Sequence, residues 1–454
     1  MKNQKYWLSL ILVSPLLFQT VTSVKAMQGE EETTLRTSPI GQVSRHPSRS
    51  IESIETSDEK IHPTTKKKDE VSASHVVILG GGIGGVVAAN TLRELLPQQY
   101  KITVIDRSPS QILGSTLLGV MIGDREPQNI LNPLSHLRNK GIEFVEGVVT
   151  EINPETKTVK IGNQEIHSDS LIISLGAELI PENIPGLTEG GHNLYTLTGS
   201  QTIAKNLNAF QGGKIVILTA SPAYKCPAAP YEASMLLEYE CRKKGIREKT
   251  EIQIYAAEPG PMGTAGPKIS NALKEIVESK KIRYFPGHQI IEVKPETRKL
   301  HFASGLVSDY DLLIYVPPHQ VPAVLKGSGL LGENGWVSVD PNTLVTRFKD
   351  VYAIGDVTSI PLKMGKPLPK AAVFAYGQAE VVAHNIAKGW LGTGESKSFD
   401  GFGECIIEMG DLCAAKGHGN FYAEPTPQIV MEEPEPKWHS EKELFEESWP
   451  KKWF

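Results

Sequence analysis

The sequence predicts an α/β protein of two Rossmann-like dinucleotide-binding domains, the second inserted in the first, with a small C-terminal segment after them. Three observations predict it. A buried-strand run, His75-Val76-Val77-Ile78-Leu79, leads through Gly80-Gly81-Gly82-Ile83-Gly84-Gly85 into a helix-periodic stretch from Val86 to Leu96. Far downstream, Asp350-Val351-Tyr352-Ala353-Ile354 is a second short strand, and it ends in Gly355-Asp356. Between them lie strand-like runs at Lys214 to Thr219, Glu251 to Ala256 and Asp311 to Val316, the pattern of a second parallel unit.

Taken in chain order, residues 1–26 read as an export signal. Lys2 and Lys5 precede the apolar run Trp7 to Phe18, and Val24-Lys25-Ala26 offers small residues for cleavage. That run is short of the roughly 20 residues of a membrane span. An uncleaved anchor and a eukaryotic targeting sequence are the other readings of it. The signal has no Arg-Arg pair, so a general secretion route to a periplasmic or otherwise extracytoplasmic location is expected, with cofactor bound after export. Residues 27–74 turn to Glu, Thr, Ser, Lys and Pro, with runs such as Glu30-Glu31-Glu32 and Lys66-Lys67-Lys68, the composition of a disordered linker.

Residues 75–200 are expected to form the first part of the first dinucleotide-binding domain. Gly80 admits a tight turn, Gly82 lets a pyrophosphate approach the backbone, and Gly85 lets the helix pack close, with the phosphate at the helix N-terminus. Gly84 completes the glycine candidates. The next strand, Lys101-Ile102-Thr103-Val104-Ile105, ends in Asp106, at the spacing of a carboxylate that binds a ribose hydroxyl. Thr158 to His167 reads as a hairpin, and Leu171-Ile172-Ile173-Ser174-Leu175 runs into Gly176-Ala177. Strands ending in this way, and in Gly355-Asp356, recur in two-dinucleotide flavoproteins, where the aspartate binds the ribityl chain that NAD lacks. Read alone, Asp356 is a turn or cap residue. Its place after a strand, ahead of the helical stretch Ala371 to Ala387, points to FAD.

The inserted domain, residues 201–335, departs from this pattern at its own turn. After Lys214 to Thr219 the chain reads Ala220-Ser221-Pro222-Ala223-Tyr224-Lys225-Cys226, with no glycine to admit a pyrophosphate. NAD(P)H is therefore disfavoured as reductant. Pro222, Pro227 and Pro230 stiffen the loop around Cys226. A helix starting near Ala233, together with Lys225, favours thiolate over thiol there. The alternative is an inert buried cysteine. The chain returns to the flavin domain over residues 336–398 and ends in a segment, 399–454, that begins with strand-like Glu404 to Glu408.

Composition limits the function classes. The chain has 454 residues, 40% of them hydrophobic, which is enough for two or three cores. A net charge of -5 provides no basic field for nucleic acid. Four cysteines are too few for a disulfide scaffold, and no His, Cys or carboxylate spacing suggests a metal site.

The runs Cys226-Pro227-Ala228-Ala229-Pro230-Tyr231-Glu232, Gly355-Asp356-Val357-Thr358-Ser359-Ile360-Pro361 and Gly365-Lys366-Pro367-Leu368-Pro369-Lys370-Ala371 resemble sulfide:quinone oxidoreductases. They also resemble the flavoprotein subunit of flavocytochrome c sulfide dehydrogenase. The likeness spans residues 75–454, including Phe399-Asp400-Gly401-Phe402-Gly403-Glu404-Cys405. It implies a flavin enzyme that takes electrons from sulfide or a small thiol and passes them to a quinone or a cytochrome. By that likeness Cys226 lies near the flavin and carries sulfur. Lys370 and the helix that starts at Ala371 would stabilise the reduced flavin near N1 and O2. The family's second redox cysteine falls on Val357, which cannot carry sulfur. Cys241 belongs on a helix away from the flavin, Cys405 matches a position that looks structural, and Cys413 has no assigned role.

Several residues keep two readings. His319 is a proton carrier or a hydrogen-bonded surface residue, Lys370 a flavin contact or a solvated lysine, and Glu232 a helix cap. The aromatic tail Lys437 to Phe454 either lies on a membrane surface, as in quinone-reducing relatives, or folds back on the protein. An NAD(P)H-dependent flavin dehydrogenase and a low-turnover flavin-binding redox sensor are the other functional readings.

Overall fold

The computed structural model describes residues 74–454, so the export-signal reading of 1–26 and, but for Ser74, the linker reading of 27–74 lie outside the described residues. The first domain runs β1 (His75–Leu79), α1 (Ile83–Leu95), β2 (Lys101–Asp106), α2 (Thr116–Ile122), β3 (Glu143–Glu146) and β4 (Ser170–Ile173). The inserted unit supplies β5 (His192–Asn193), α3 (Leu197–Ala209), β6 (Gly213–Thr219), α4 (Ala229–Lys243), β7 (Thr250–Ala256), α5 (Pro267–Ser279), β8 (Arg283–Phe285) and β9 (Leu312–Val316). The return brings β10 (Val351–Ala353) and α6 (Ala372–Leu391). The C-terminal segment adds β11 (Phe402–Glu408), β12 (Ala414–Asn420), β13 (Gln428–Met431) and α7 (Pro436–Trp453).

Two five-stranded parallel sheets follow, in the orders β10-β4-β1-β2-β3 and β5-β9-β6-β7-β8. Helical crossovers cover both faces of a parallel sheet, so its central strands must be apolar throughout. Val76 to Leu79 and Ile215 to Leu218 accordingly have no exposed surface. In each sheet the central strand, β1 or β6, delivers its following turn at the carboxyl ends of the strands, where α/β sheets place ligands. Each unit also carries a three-stranded antiparallel meander, and the first contains the expected hairpin, Thr158–Ile161 against Gln164–His167.

Strand pairing sets the border of the insertion differently from the expected 201–335. His192–Asn193 already pairs with β9, so the second sheet begins before residue 201. Val321, Leu325 and Leu330 pack into the first domain's core, so the insertion closes soon after β9. The outgoing and returning chains run side by side, Leu179 opposite His319. This pairing brings His319 to the junction of the two domains.

The C-terminal segment folds back on the protein. β11, β12 and β13 form an antiparallel sheet, and α7 packs Trp449 and Trp453 into the core that holds α1 and α6. Asn90 Nδ2 donates to the Trp453 carbonyl at 3.2 Å. Two of the three tail tryptophans, Trp449 and Trp453, are 2% and 5% exposed, so for these side chains the fold takes the folded-back reading. Among the described residues no helix is long and apolar enough to cross a membrane.

Candidate functional site

The first turn is shaped for an anion. Gly80 has φ +104, and a methyl at Gly85 would stand 1.9 Å from the Gly80 carbonyl oxygen, so both positions demand glycine. A methyl at Gly84 would meet Ser174 Oγ at 2.8 Å, whereas one at Gly82 would meet nothing within 4 Å. α1 begins beside this open side with no side-chain cap and no acid in its first turn. Its free amides and dipole therefore face open space, which suits a phosphate. Asp106 stands opposite, its carboxylate oxygens accepting the Gly81 and Ser108 N–H groups at 2.6 and 2.8 Å. Gly176 turns the chain after β4 with φ +68. Free helix amides and an acid thus meet at the carboxyl end of the first sheet, the donor set that a dinucleotide site requires.

The return strand supplies a further turn of the same sheet. Gly355 takes φ +73 and donates its N–H to Gln378 Oε1 at 2.7 Å. Burial raises the Asp356 carboxyl above its ordinary range, with Lys225 and Lys370 opposing the rise. Lys370 Nζ donates to the carbonyls of Asp356 and Thr358 at 2.7 and 2.8 Å and lies over the Trp336 ring at 3.4 Å. Burial pulls this ammonium down to about 8, and Asp356 resists the fall. Ala371 precedes α6, which also starts without a side-chain cap or a first-turn acid. The Lys370 ammonium is thus held by its own chain, and the uncapped helix end lies beside it.

Cys226 enters the cleft from the inserted unit. Its φ of +48 is unusual for a non-glycine residue and is held by several bonds. Its N–H donates to the Lys370 carbonyl at 2.7 Å, and its own carbonyl accepts from the Ala229 N–H and the Tyr195 hydroxyl, each at 3.0 Å. Tyr195 also donates to the Lys225 carbonyl at 2.7 Å. The two domains therefore meet at this turn. The residue keeps exposed surface, yet protein crowds its thiol. That crowding pushes the thiol up to about 12, Glu232 adding to the rise while Lys442 and the Ala229 amide oppose it. The expectation of a favoured thiolate is corrected here. The helix amide does assist, but desolvation and Glu232 outweigh it, and the assisting cation is Lys442 rather than Lys225.

His319 completes the cleft. Its Nδ1 donates to the Pro317 carbonyl at 2.8 Å, which leaves Nε2 as a lone-pair acceptor, buried and without a partner. Burial pulls the imidazole down to about 4, so it is neutral at ordinary pH. Its ring stands edge-on to Tyr195, with centroids 5.8 Å apart. A buried acceptor left without a partner is the kind of group that a bound polar partner would satisfy.

The second nucleotide turn is closed by side chains. Glu258, just beyond β7, occupies the place of a ribose-binding acid, a signal the sequence reading passed over. Its carboxylate is already taken by the hydroxyls of Thr219 at 2.5 Å, Tyr231 at 2.7 Å and Tyr224. Tyr231 has no exposed surface, so these rings fill the space over the glycine-free turn.

Val357 is fully buried in the apolar core with Leu79 and Val337. Cys241 is buried on α4, and Cys405, half-buried on β11, packs against the cluster that holds Ala228 and Ala229. Glu232 does not cap α4. It lies in the helix's first turn, where it accepts the Glu408 N–H at 3.0 Å and pairs with Lys442 at 2.7 Å. Tyr195, Trp336 and Lys442 were not singled out by sequence, because each meets its partner, the Cys226 turn, Lys370 or Glu232, from a distant segment.

The profile described as pyridine nucleotide-disulphide oxidoreductase matches residues 74–379. The chain is 27% identical to the mitochondrial sulfide:quinone oxidoreductase of Mus musculus over 74% of its own length and 75% of the relative's. It is also 27% identical to the sulfide-quinone reductase of Aquifex aeolicus, over 78% of this chain and 84% of that one. The solved structure of the sulfide:quinone oxidoreductase from Aquifex aeolicus shares the fold with a TM-score of 0.74 at 24% identity, covering 83% of this chain and 90% of the other.

Proposed function

The chain belongs to the pyridine nucleotide-disulphide oxidoreductase family, and on that premise we propose that it is an FAD-dependent oxidoreductase of the sulfide:quinone type. It oxidises hydrosulfide or a small thiol at Cys226 and passes the electrons to a quinone. The observation that carries this reading is the exchange at the second turn, where Cys226 is held in the cleft while Glu258 is sealed by Thr219, Tyr224 and Tyr231. The same exchange argues against NAD(P)H, which would need the amides and the acid that are filled here.

Gly80, Gly82, Gly84, Gly85 and Asp106 would hold the adenosine and pyrophosphate end of FAD. Gly176, Gly355, Asp356, Lys370 and Ala371 would hold the ribityl and ring end. FAD, when bound, supplies the two-electron chemistry that connects sulfur oxidation to quinone reduction. Cys226 thiol and hydrosulfide join as a persulfide, which releases two electrons and one proton. His319 Nε2, neutral and unpartnered, is placed to accept a proton or a hydrogen bond in the cleft. Tyr195 and the Lys370 carbonyl hold the cysteine backbone in its left-handed conformation, so the sulfur is fixed before substrate arrives.

An anaerobic titration of the flavin-loaded protein tests this reading. Sulfide should bleach the flavin absorbance, a soluble quinone should restore it, and NADH should leave it unchanged. Cys226→Ser should slow sulfide bleaching at least about a hundredfold, the scale of losing a nucleophile's contribution. Bleaching by NADH alone, or a parental sulfide rate in Cys226→Ser, would reject the assignment.

A further inference from the structure

Cys226 and Glu232 share one end of α4. The helix opens as the Ala229 N–H bonds the Cys226 carbonyl, and Glu232 sits in its first turn, 3% exposed. A buried carboxylate at that position opposes negative charge on the sulfur. α7 brings Lys442 against it from the far end of the chain. Lys442 is 9% exposed, its Nζ 2.7 Å from Glu232 Oε1 and 3.8 Å from Glu408 Oε1. The remaining groups around this ammonium are already engaged. His439 Nδ1 lies 3.0 Å from Glu408 Oε2, and Arg125 holds Glu446 at 2.6 Å.

We propose that Lys442 is a positioning residue of the thiol site, through which the C-terminal helix neutralises Glu232 and allows Cys226 to carry charge as it reacts. The inference rests on Cys226 being the reacting thiol. The charges around the sulfur act in opposite directions, since Glu232 and Asp356 raise the thiol while Lys442 lowers it. Removing only the cation would leave Glu232 buried and uncompensated, whereas removing both partners would restore neutrality.

The test is the pH profile of Cys226 alkylation by iodoacetamide, followed by peptide mass spectrometry on the full-length, flavin-loaded protein. Lys442→Met should slow alkylation near neutral pH about tenfold, the equivalent of one pKa unit on the thiol. Lys442→Arg should stay near the parental rate, Glu232→Gln should alkylate faster than the parent, and the double variant should return towards it. A merely structural role would move both single variants in the same direction, and that outcome, or a parental rate in Lys442→Met, overturns the proposal. If Lys442→Met does not fold, Glu232→Gln carries the test, and a slower or unchanged rate overturns it. Because alkylation needs no sulfide, failure of the sulfide reading shows in the flavin titration and leaves this result distinct.

Discussion

His319 shows how one buried side chain records the cleft's demands. Its folded-state value near 4 lies below the unfolded value of about 6.5. Between those limits the unfolded chain binds more protons than the fold does, so stability must fall as pH drops from about 6.5 to about 4. Denaturant midpoints measured across that window should show the fall, and His319→Gln should lessen it, the remainder belonging to groups such as His75 and His192 that burial also lowers. An identical slope in the variant would mean that another group titrates there. The glycine turn could be read as a candidate from sequence because its short run fixes its own conformation, whereas Cys226 could be read as a candidate but not its left-handed backbone, which Tyr195 and Lys370 hold from distant segments. His319 was legible only as an ambiguity. Its role depends on the pairing of Leu179 with His319 across the whole insertion, and no local pattern encodes that contact. Lys442 was illegible for the same reason, since its partner Glu232 lies on another helix of another domain.

At the scale of elements, one of the closest tolerances lies where α1 leaves its strand. The helix packs extensively on α6, and the Gly85 position faces the Gly80 carbonyl at a distance no Cβ can occupy. Gly85→Ala must therefore push α1 off the turn, at a cost of about 1–3 kcal/mol. The displaced amides should also release flavin. Guanidinium denaturation and the flavin-to-protein ratio check both effects, and a variant with parental values in each would show that the turn has slack. The same strand-turn-helix logic located β1, β6, β7 and β9 to within a residue or two. It placed the start of α4 late, near Ala233 instead of Ala229, because Pro230 was read as loop. Proline is accepted in a helix's first turn, where its missing N–H has no intrahelical partner to lose. That earlier start brings the Ala229 amide to Cys226 and Glu232 into the first turn, so the error concealed the electrostatics of the thiol.

The whole molecule is closed by its last helix. An aromatic, mixed-charge tail satisfies the composition of an interfacial helix and of a packed one equally well, and the sequence left that choice open. Packing favours the second for two side chains, because the described core of α1 and α6 offers an apolar face that Trp449 and Trp453 fill. Trp449 also donates its indole N–H to Gln111 Oε1 at 3.2 Å, and the same oxygen accepts from Asn132 Nδ2 at 2.9 Å. The side chain therefore ties the C-terminus to the segment that follows β2. Trp449→Ala would empty a site that is 2% exposed and should cost about 3–5 kcal/mol in denaturant unfolding. A helix that worked on a membrane would behave in the opposite way, with stability in solution nearly unchanged and vesicle binding lost. Measuring denaturation and flotation with anionic vesicles on the same variant separates the two. A large loss of stability without any change in flotation is the outcome that the buried indole requires.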